Sequence, residues 1–190
     1  MPLKVGRSVA FGLFLAVFPG ALAALAAPQT ISVTPRDTDI GFRIYLFGFL
    51  PLDGHFTRFA GTLVIDPDDY TRCHVDIQAE SASLVMPNAE AQKIALGPRF
   101  LDATRFPLLA FAGECHAIQG APPMLQGMLS MHGRTGALSF SLHPSGDAFT
   151  VSAELHRAAW GMGAHPLLAR DSIRLFVTTR ILPPAAHAEH

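Results

Sequence analysis

From Asp39 to Pro67 the chain alternates apolar residues with others at a period of two, the pattern of β-strands. Ile40, Phe42, Ile44 and Leu46 share one face, and Gly41, Arg43, Tyr45 and Phe47 the other. Gly48 to Pro51 supplies turn chemistry. A second strand is predicted from about Asp53 to Ile65, and Asp66-Pro67 closes it because proline cannot donate to a ladder. The stretch reads as one long β-hairpin. A short strand, Gln29 to Pro35, precedes it. Arg72 to Ser83 alternates again, with Cys73, Val75, Ile77 and Ala79 on one face and His74, Asp76, Gln78 and Glu80 on the other. That is a half-buried antiparallel strand. Pro87-Asn88 breaks the pattern. Ala89 to Leu96 is helix-prone, with Asn88 as cap and Gly97-Pro98 as stop. Phe100 to Phe106 is irregular.

Strands resume at Pro107. Leu109, Phe111, Gly113 and Cys115 share a face, then Leu125, Gly127, Leu129 and Met131, then Leu138, Phe140 and Leu142, then Phe149, Val151, Ala153 and Leu155. Gly120–Pro123, Gly133–Gly136 and Pro144–Asp147 are the predicted turns. Arg157 to Asp171 is a long loop with the chain's one tryptophan, Trp160, and the apolar Met162, Leu167 and Leu168. Ile173, Leu175, Val177 and Thr179 form the last strand face. Every strand has one apolar face, so the fold is an all-β antiparallel barrel or a two-sheet sandwich. Small inward positions (Ala79, Gly113, Gly127, Ala153) leave room for a ligand or accommodate barrel taper.

Residues 1–26 differ in kind. Lys4 and Arg7 precede an apolar run from Val9 to Leu22, and Ala24-Leu25-Ala26 fits a cleavage site. This is the pattern of a signal peptide, against the alternative of an uncleaved anchor helix. No later segment is apolar enough to span a bilayer. The expected organisation is a leader at 1–26, one domain at 27–183 and a flexible tail at 184–190, in a periplasmic or secreted protein. The net charge is −1, and more negative once Lys4 and Arg7 are set aside, which argues against nucleic acid as partner.

Export changes the reading of the two cysteines, because disulfides persist there. Cys73 lies near the start of its strand and Cys115 near the end of the next long one. Consecutive antiparallel strands set those positions opposite each other, and both residues fall on inward faces. A Cys73–Cys115 disulfide is expected; two unpaired buried thiols are the alternative.

Other chemistry is sparse. The nine histidines (55, 74, 116, 132, 143, 156, 165, 187 and 190) include no His-x-x-x-His pair, and no Cys-x-x-Cys accompanies them. There is no Gly-x-Ser-x-Gly elbow. Asp68-Asp69 falls in a turn, and glycines occur singly rather than as a phosphate-cradling loop. No catalytic residue, metal ligand or cofactor is expected, and the chain does not read as an enzyme.

Several stretches together resemble one family. Gly-x-Phe-x-x-Phe-x-Gly (Gly54 to Gly61), Phe100-Leu101-Asp102, Arg105-Phe106-Pro107, Gly127-x-Leu129 before Met131-His132-Gly133, and Arg157 to Met162 are similar in order and spacing to YceI-family proteins. That resemblance covers about Gln29 to Leu182. It implies an eight-stranded lipocalin-like barrel with one short helical excursion and a long loop near its mouth. It also implies binding of a long apolar lipid, of polyisoprenoid or isoprenoid quinone type. Where many members carry Asp-x-His-Leu this chain has Lys93-Ile94-Ala95-Leu96, so no polar head-group contact is carried over. Face parity then nominates Phe42, Ile44, Leu46, Ile77, Leu109, Phe111, Leu129, Phe140 and Val151 as tunnel lining, with Trp160 and Met162 from the loop. The expected partner is an apolar chain-like lipid, and the reading allows a homodimer. The alternatives are a solidly filled structural barrel and a small exported hydrolase.

Overall fold

The computed structural model of the chain describes residues 27–66, 69–145, 148–163 and 171–180. The expected leader (1–26) and tail (184–190) lie outside them, as do Leu167 and Leu168 of the long loop. Eleven strands and one helix make up the described residues: β1 (Gln29–Val33), β2 (Thr38–Leu46), β3 (Leu50–Phe56), β4 (Phe59–Asp66), β5 (Asp69–Glu80), β6 (Leu84–Val85), α1 (Ala89–Leu96), β7 (Leu108–Ile118), β8 (Ala121–Met131), β9 (Arg134–Ser145), β10 (Ala148–His156) and β11 (Ser172–Arg180). All pair antiparallel in one sheet, ordered β1-β4-β5-β7-β8-β9-β10-β11-β2-β3-β6.

The sheet curls into a barrel-like wall, and the chain itself dictates the curl. β3 and β4 lie near opposite ends of the strand order, yet only Thr57 and Arg58 separate them. The three Cα steps from Phe56 to Phe59 span at most about 11 Å, so the two ends must come together. The turn Ser81–Ser83 crosses the same seam, from β5 to β6. Its Ser83 carbonyl accepts from the Thr57 amide at 3.1 Å, and the Arg58 carbonyl accepts from the Glu80 amide at 3.0 Å. Ser81 and Ser83 are almost fully buried there, with hydroxyls bonded to the carbonyls of Phe106 (2.7 Å) and Glu80 (2.8 Å).

Two sequence expectations change. The long hairpin is a hairpin only as far as Phe56: β3 pairs with β2, whereas β4 pairs with β1 and β5. A uniform strand pattern does not reveal which neighbour each half takes. For the same reason the count is eleven strands rather than eight. The seam divides one run in two, and β1 and β6 are short additions at the ends of the order. Two turns also prove tighter than expected. β8 already begins at Ala121 and β9 at Arg134, which leaves Gln119-Gly120 and His132-Gly133 as the turn residues. At the Pro144–Asp147 turn, residues 146–147 lie outside the described set.

The helix forms as its sequence dictates. The Asn88 side chain accepts from the amides of Glu90 and Ala91, and the Gly97 amide closes on the Ile94 carbonyl. No residue of α1 is fully buried; Ala91, Ala95 and Leu96 pack on the core from one end.

Candidate functional site

Inward faces of the strands meet in a cavity of about 1120 Å³ running the length of the barrel. That exceeds the roughly 300–1,000 Å³ of ordinary small-molecule sites. The walls are almost wholly aliphatic and aromatic. Of the nominated lining residues, the structure places Phe42, Ile44, Leu46, Ile77, Leu109, Phe111, Leu129, Phe140, Val151 and Met162 on the cavity. Strand parity brings them together: Leu175 stands opposite Phe42, Ile77 opposite Phe111, and Phe111 opposite Leu129.

Trp160 does not line it. The short 3-10 turn Arg157–Trp160 folds beside the β8–β9 turn at the mouth end, where the indole packs against Gly136 and is 7% exposed. A Cβ at Gly136 would stand 3.1 Å from the indole Cζ2. The His132 ring holds the turn, with Nδ1 3.0 Å from the Trp160 carbonyl and Nε2 3.4 Å from that of Pro98. Trp160 therefore packs at the mouth end, behind the lining rather than in it. Loop composition alone does not distinguish such a packed residue from a lining one.

The small inward positions also divide. The Phe111 ring lies across Gly113 and Gly127, so that a Cβ at either would sit 2.9 or 2.7 Å from its Cζ. Phe111 in turn meets Phe140 edge-on at 5.2 Å. These glycines make room for an aromatic ring of the wall, not for a ligand. Gly54 serves Phe42 in the same way.

The opening of the cavity is defined by exposure. Among the described residues, every lining residue that is exposed belongs to the β2–β3 turn (Phe47, Leu50), to α1 and its flanks (Asn88, Glu90, Ile94, Pro98, Arg99) or to Gly163. At the far end, Thr38, Ile65 and Cys115 are all buried. There Cys73 and Cys115 form the expected disulfide, with Cα atoms 4.9 Å apart. His74 pairs with Glu114, which puts the two cysteines directly opposite on β5 and β7. Thr38 and Thr179 join hydroxyls nearby at 2.8 Å.

Sequence reasoning missed two contributors. Helix α1 supplies Ala91, Ile94 and Ala95 to the cavity wall; the weak amphipathy of a short alanine-rich helix gave no warning. Arg157 also lines the cavity and is 2% exposed, with its guanidinium 5.7 Å from the Phe100 ring centre. Burial pushes its pKa down, and the Asp171 charge partly offsets this. Its Nε donates to the Asp171 carbonyl at 3.4 Å. On the outer wall, Arg43 grips Asp53 through two bonds of 2.6 and 2.7 Å, which hold the Asp53 carboxyl below its usual range.

Chemically the site can enclose an apolar molecule. Among the described residues there is no cluster of three or more histidine, cysteine, aspartate or glutamate side chains fit to hold a metal, and no helix long and apolar enough to cross a membrane.

The family model of the YceI-like domain matches residues 32–181. A UPF0312 protein of Vibrio cholerae is 27% identical over 114 residues, and the match spans 60% of each chain. The chain thus aligns with about 60% of the length of such curated relatives. In structure the chain resembles BcnA of Burkholderia cenocepacia, with TM-score 0.65 and 16% identity, over 77% of this chain and 97% of that one. It also resembles a polyisoprenoid binding domain from Saccharophagus degradans, with TM-score 0.52 and 8% identity, over 81% of this chain and 99% of that one.

Proposed function

Because the chain belongs to the YceI-like family, we propose that it is an exported binding protein that sequesters or carries a long apolar lipid, of polyisoprenoid or isoprenoid quinone type, inside the barrel. The observation that carries this reading is the cavity: about 1120 Å³, lined by apolar side chains from end to end and open at one end. A solidly filled barrel would not leave that volume. The polyisoprenoid binding domain of similar fold points to the same ligand class. Each methylene taken from water contributes about 0.8 kcal/mol, while association costs about 4–15 kcal/mol. Short chains therefore bind poorly and long ones usefully. The walls offer burial and shape rather than a reacting group, so the role is binding rather than turnover. Export rests on the leader pattern at residues 1–26; N-terminal sequencing of periplasmic material should begin near Ala24 or Ala27.

The test is a thermal shift measured with a long polyprenol and with a short one, alongside native mass spectrometry of protein from its own host. A rise in Tm with the long chain only, and a co-purified lipid mass, are expected. No shift at saturating long polyprenol, together with a bare mass, overturns the reading in favour of a structural module. Trp160, alone of its kind and buried beside the cavity, gives an independent fluorescence readout.

A further inference from the structure

Of the eight large apolar side chains exposed among the described residues, four gather at the mouth, including the two most exposed. Phe49 is 77% exposed, Phe47 61%, Ile94 53% and Leu50 49%. Three of these four also line the cavity, so on the side of the β2–β3 turn its apolar wall runs out through the mouth to the surface, while Asn88, Glu90 and Arg99 give the helix side a polar edge. The turn that carries the two phenylalanines is held in an unfavourable form. Phe47 has φ 51°, a left-handed conformation that a bulky side chain adopts only at a cost, and Gly48 follows at φ 80°. Across the opening, Arg99 lines the cavity, and Lys93 stands in the last turn of α1, whose Ile94 lines it too. Both are exposed, and neither is in an ion pair among the described residues. Glu90 stands three residues before Lys93 and Asp102 three residues after Arg99. The neighbouring Asp53 is already neutralised by Arg43.

We propose that this mouth docks on a phospholipid bilayer, with Phe47, Phe49, Leu50 and Ile94 entering the interface and Lys93 and Arg99 meeting lipid phosphates. An apolar rim flanked by unpaired cations is the chemistry of an interfacial anchor. A protein surface would meet the apolar rim but gives no reason for the cations. The continuity of rim and cavity gives the contact its use: a long apolar chain passes between bilayer and barrel without crossing water. The proposal rests on the lipid-carrying reading above for that use, though not for the docking itself.

Co-sedimentation with vesicles of phosphatidylethanolamine and phosphatidylglycerol tests it, using the full protein. The wild type should pellet with these vesicles and far less with phosphatidylcholine alone. Phe49→Ser, outside the cavity lining, should weaken binding by about tenfold. Lys93→Glu should weaken it about tenfold at low salt, with the difference vanishing at high salt. Both variants should take up polyprenol from detergent micelles as the wild type does, but more slowly from vesicles. Wild type that stays in the supernatant, or variants that sediment unchanged, overturn the docking. Velocity sedimentation showing a dimer that Phe49→Ser dissolves, with no vesicle binding, overturns it in favour of a second copy of the chain. Failure of polyprenol uptake from micelles with vesicle binding intact would instead overturn the lipid-carrying reading and leave the docking standing.

Discussion

The two ends of the barrel are built on opposite terms. At the disulfide end the wall is locked. Cys73 and Cys115 are bonded across β5 and β7, Thr38 and Thr179 join hydroxyls across β2 and β11, and the Arg180 amide donates to the Asp37 carbonyl at 2.9 Å. At the mouth, the wall gives way to a three-residue turn with a left-handed phenylalanine and an eight-residue helix without a buried side chain. Local stability tracks buried contacts, so the mouth is drawn from the low-stability end of the molecule and the disulfide end from the high. The difference teaches how a barrel admits a bulky guest: the fixed end sets the shape, and the loose end moves.

The sharpest way to break the contrast is to unlock the fixed end. Replacing both cysteines (Cys73→Ala with Cys115→Ala) removes a crosslink over a 42-residue separation and should lower stability by about 4 kcal/mol in the chain-entropy model. Denaturant unfolding of the oxidised protein against the double variant measures this. Hydrogen exchange should then show β5 and β7 losing protection toward that of the β2–β3 turn.

Midway between the ends, Gly127→Val tests whether the wall there is full. Its new side chain would meet the Phe111 ring and the Ala112 carbonyl. Overpacking of this kind should cost about 1–3 kcal/mol, read as a lower Tm. A ligand filling that space instead of Phe111 would predict weaker lipid binding at unchanged stability.

Asn88→Ala acts on the loose end alone. It removes the cap that accepts from Glu90 and Ala91 and should cost about 1 kcal/mol. Because α1 borders the mouth, the sharper readout is faster release of a bound polyprenol, measured by transfer to acceptor vesicles.

The smallest effect concerns pH. Arg43 depresses the Asp53 carboxyl, so the pair stabilises the fold above the ordinary carboxylate range and loses that contribution as pH falls through the lowered value. Below about pH 4 the wild type should therefore lose stability that Asp53→Asn never had. Melting curves of the two proteins should converge in acid. The pair is half exposed, which keeps the difference small.

Much of this was legible in the sequence, because alternation at period two reports which side chains share a face. Parity alone put nine of the nominated residues on the cavity and aligned the cysteines. Parity is blind, however, to partners and to depth. It did not show that Leu50 to Asp66 serves two ends of one sheet, since both halves alternate alike. It did not separate Gly127, which shelters a neighbour's ring, from a position that leaves free space. The placement of Trp160 depends on where a loop folds, and that is set by His132 and Gly136 from elsewhere in the chain. In the sequence Phe47 read as the end of a strand face and Phe49 as a turn residue, and only the position of α1 across from them makes the pair part of a mouth.

The seam at Thr57-Arg58 also governs the order in which the molecule can assemble. β4, β5, β7, β8, β9 and β10 each find a neighbour soon after they are made, and β2 finds β3, but the other edge of β2 waits for β11: Phe42 pairs with Leu175. Contacts of such separation are slow to form, because the whole intervening chain must be closed into a loop first. A chain that ends before Ser172 leaves β2 and β10 each with a bare edge, and exposed edges recruit other chains. β11, the last of the described strands, is thus the one that turns a curled, sticky sheet into a self-contained vessel.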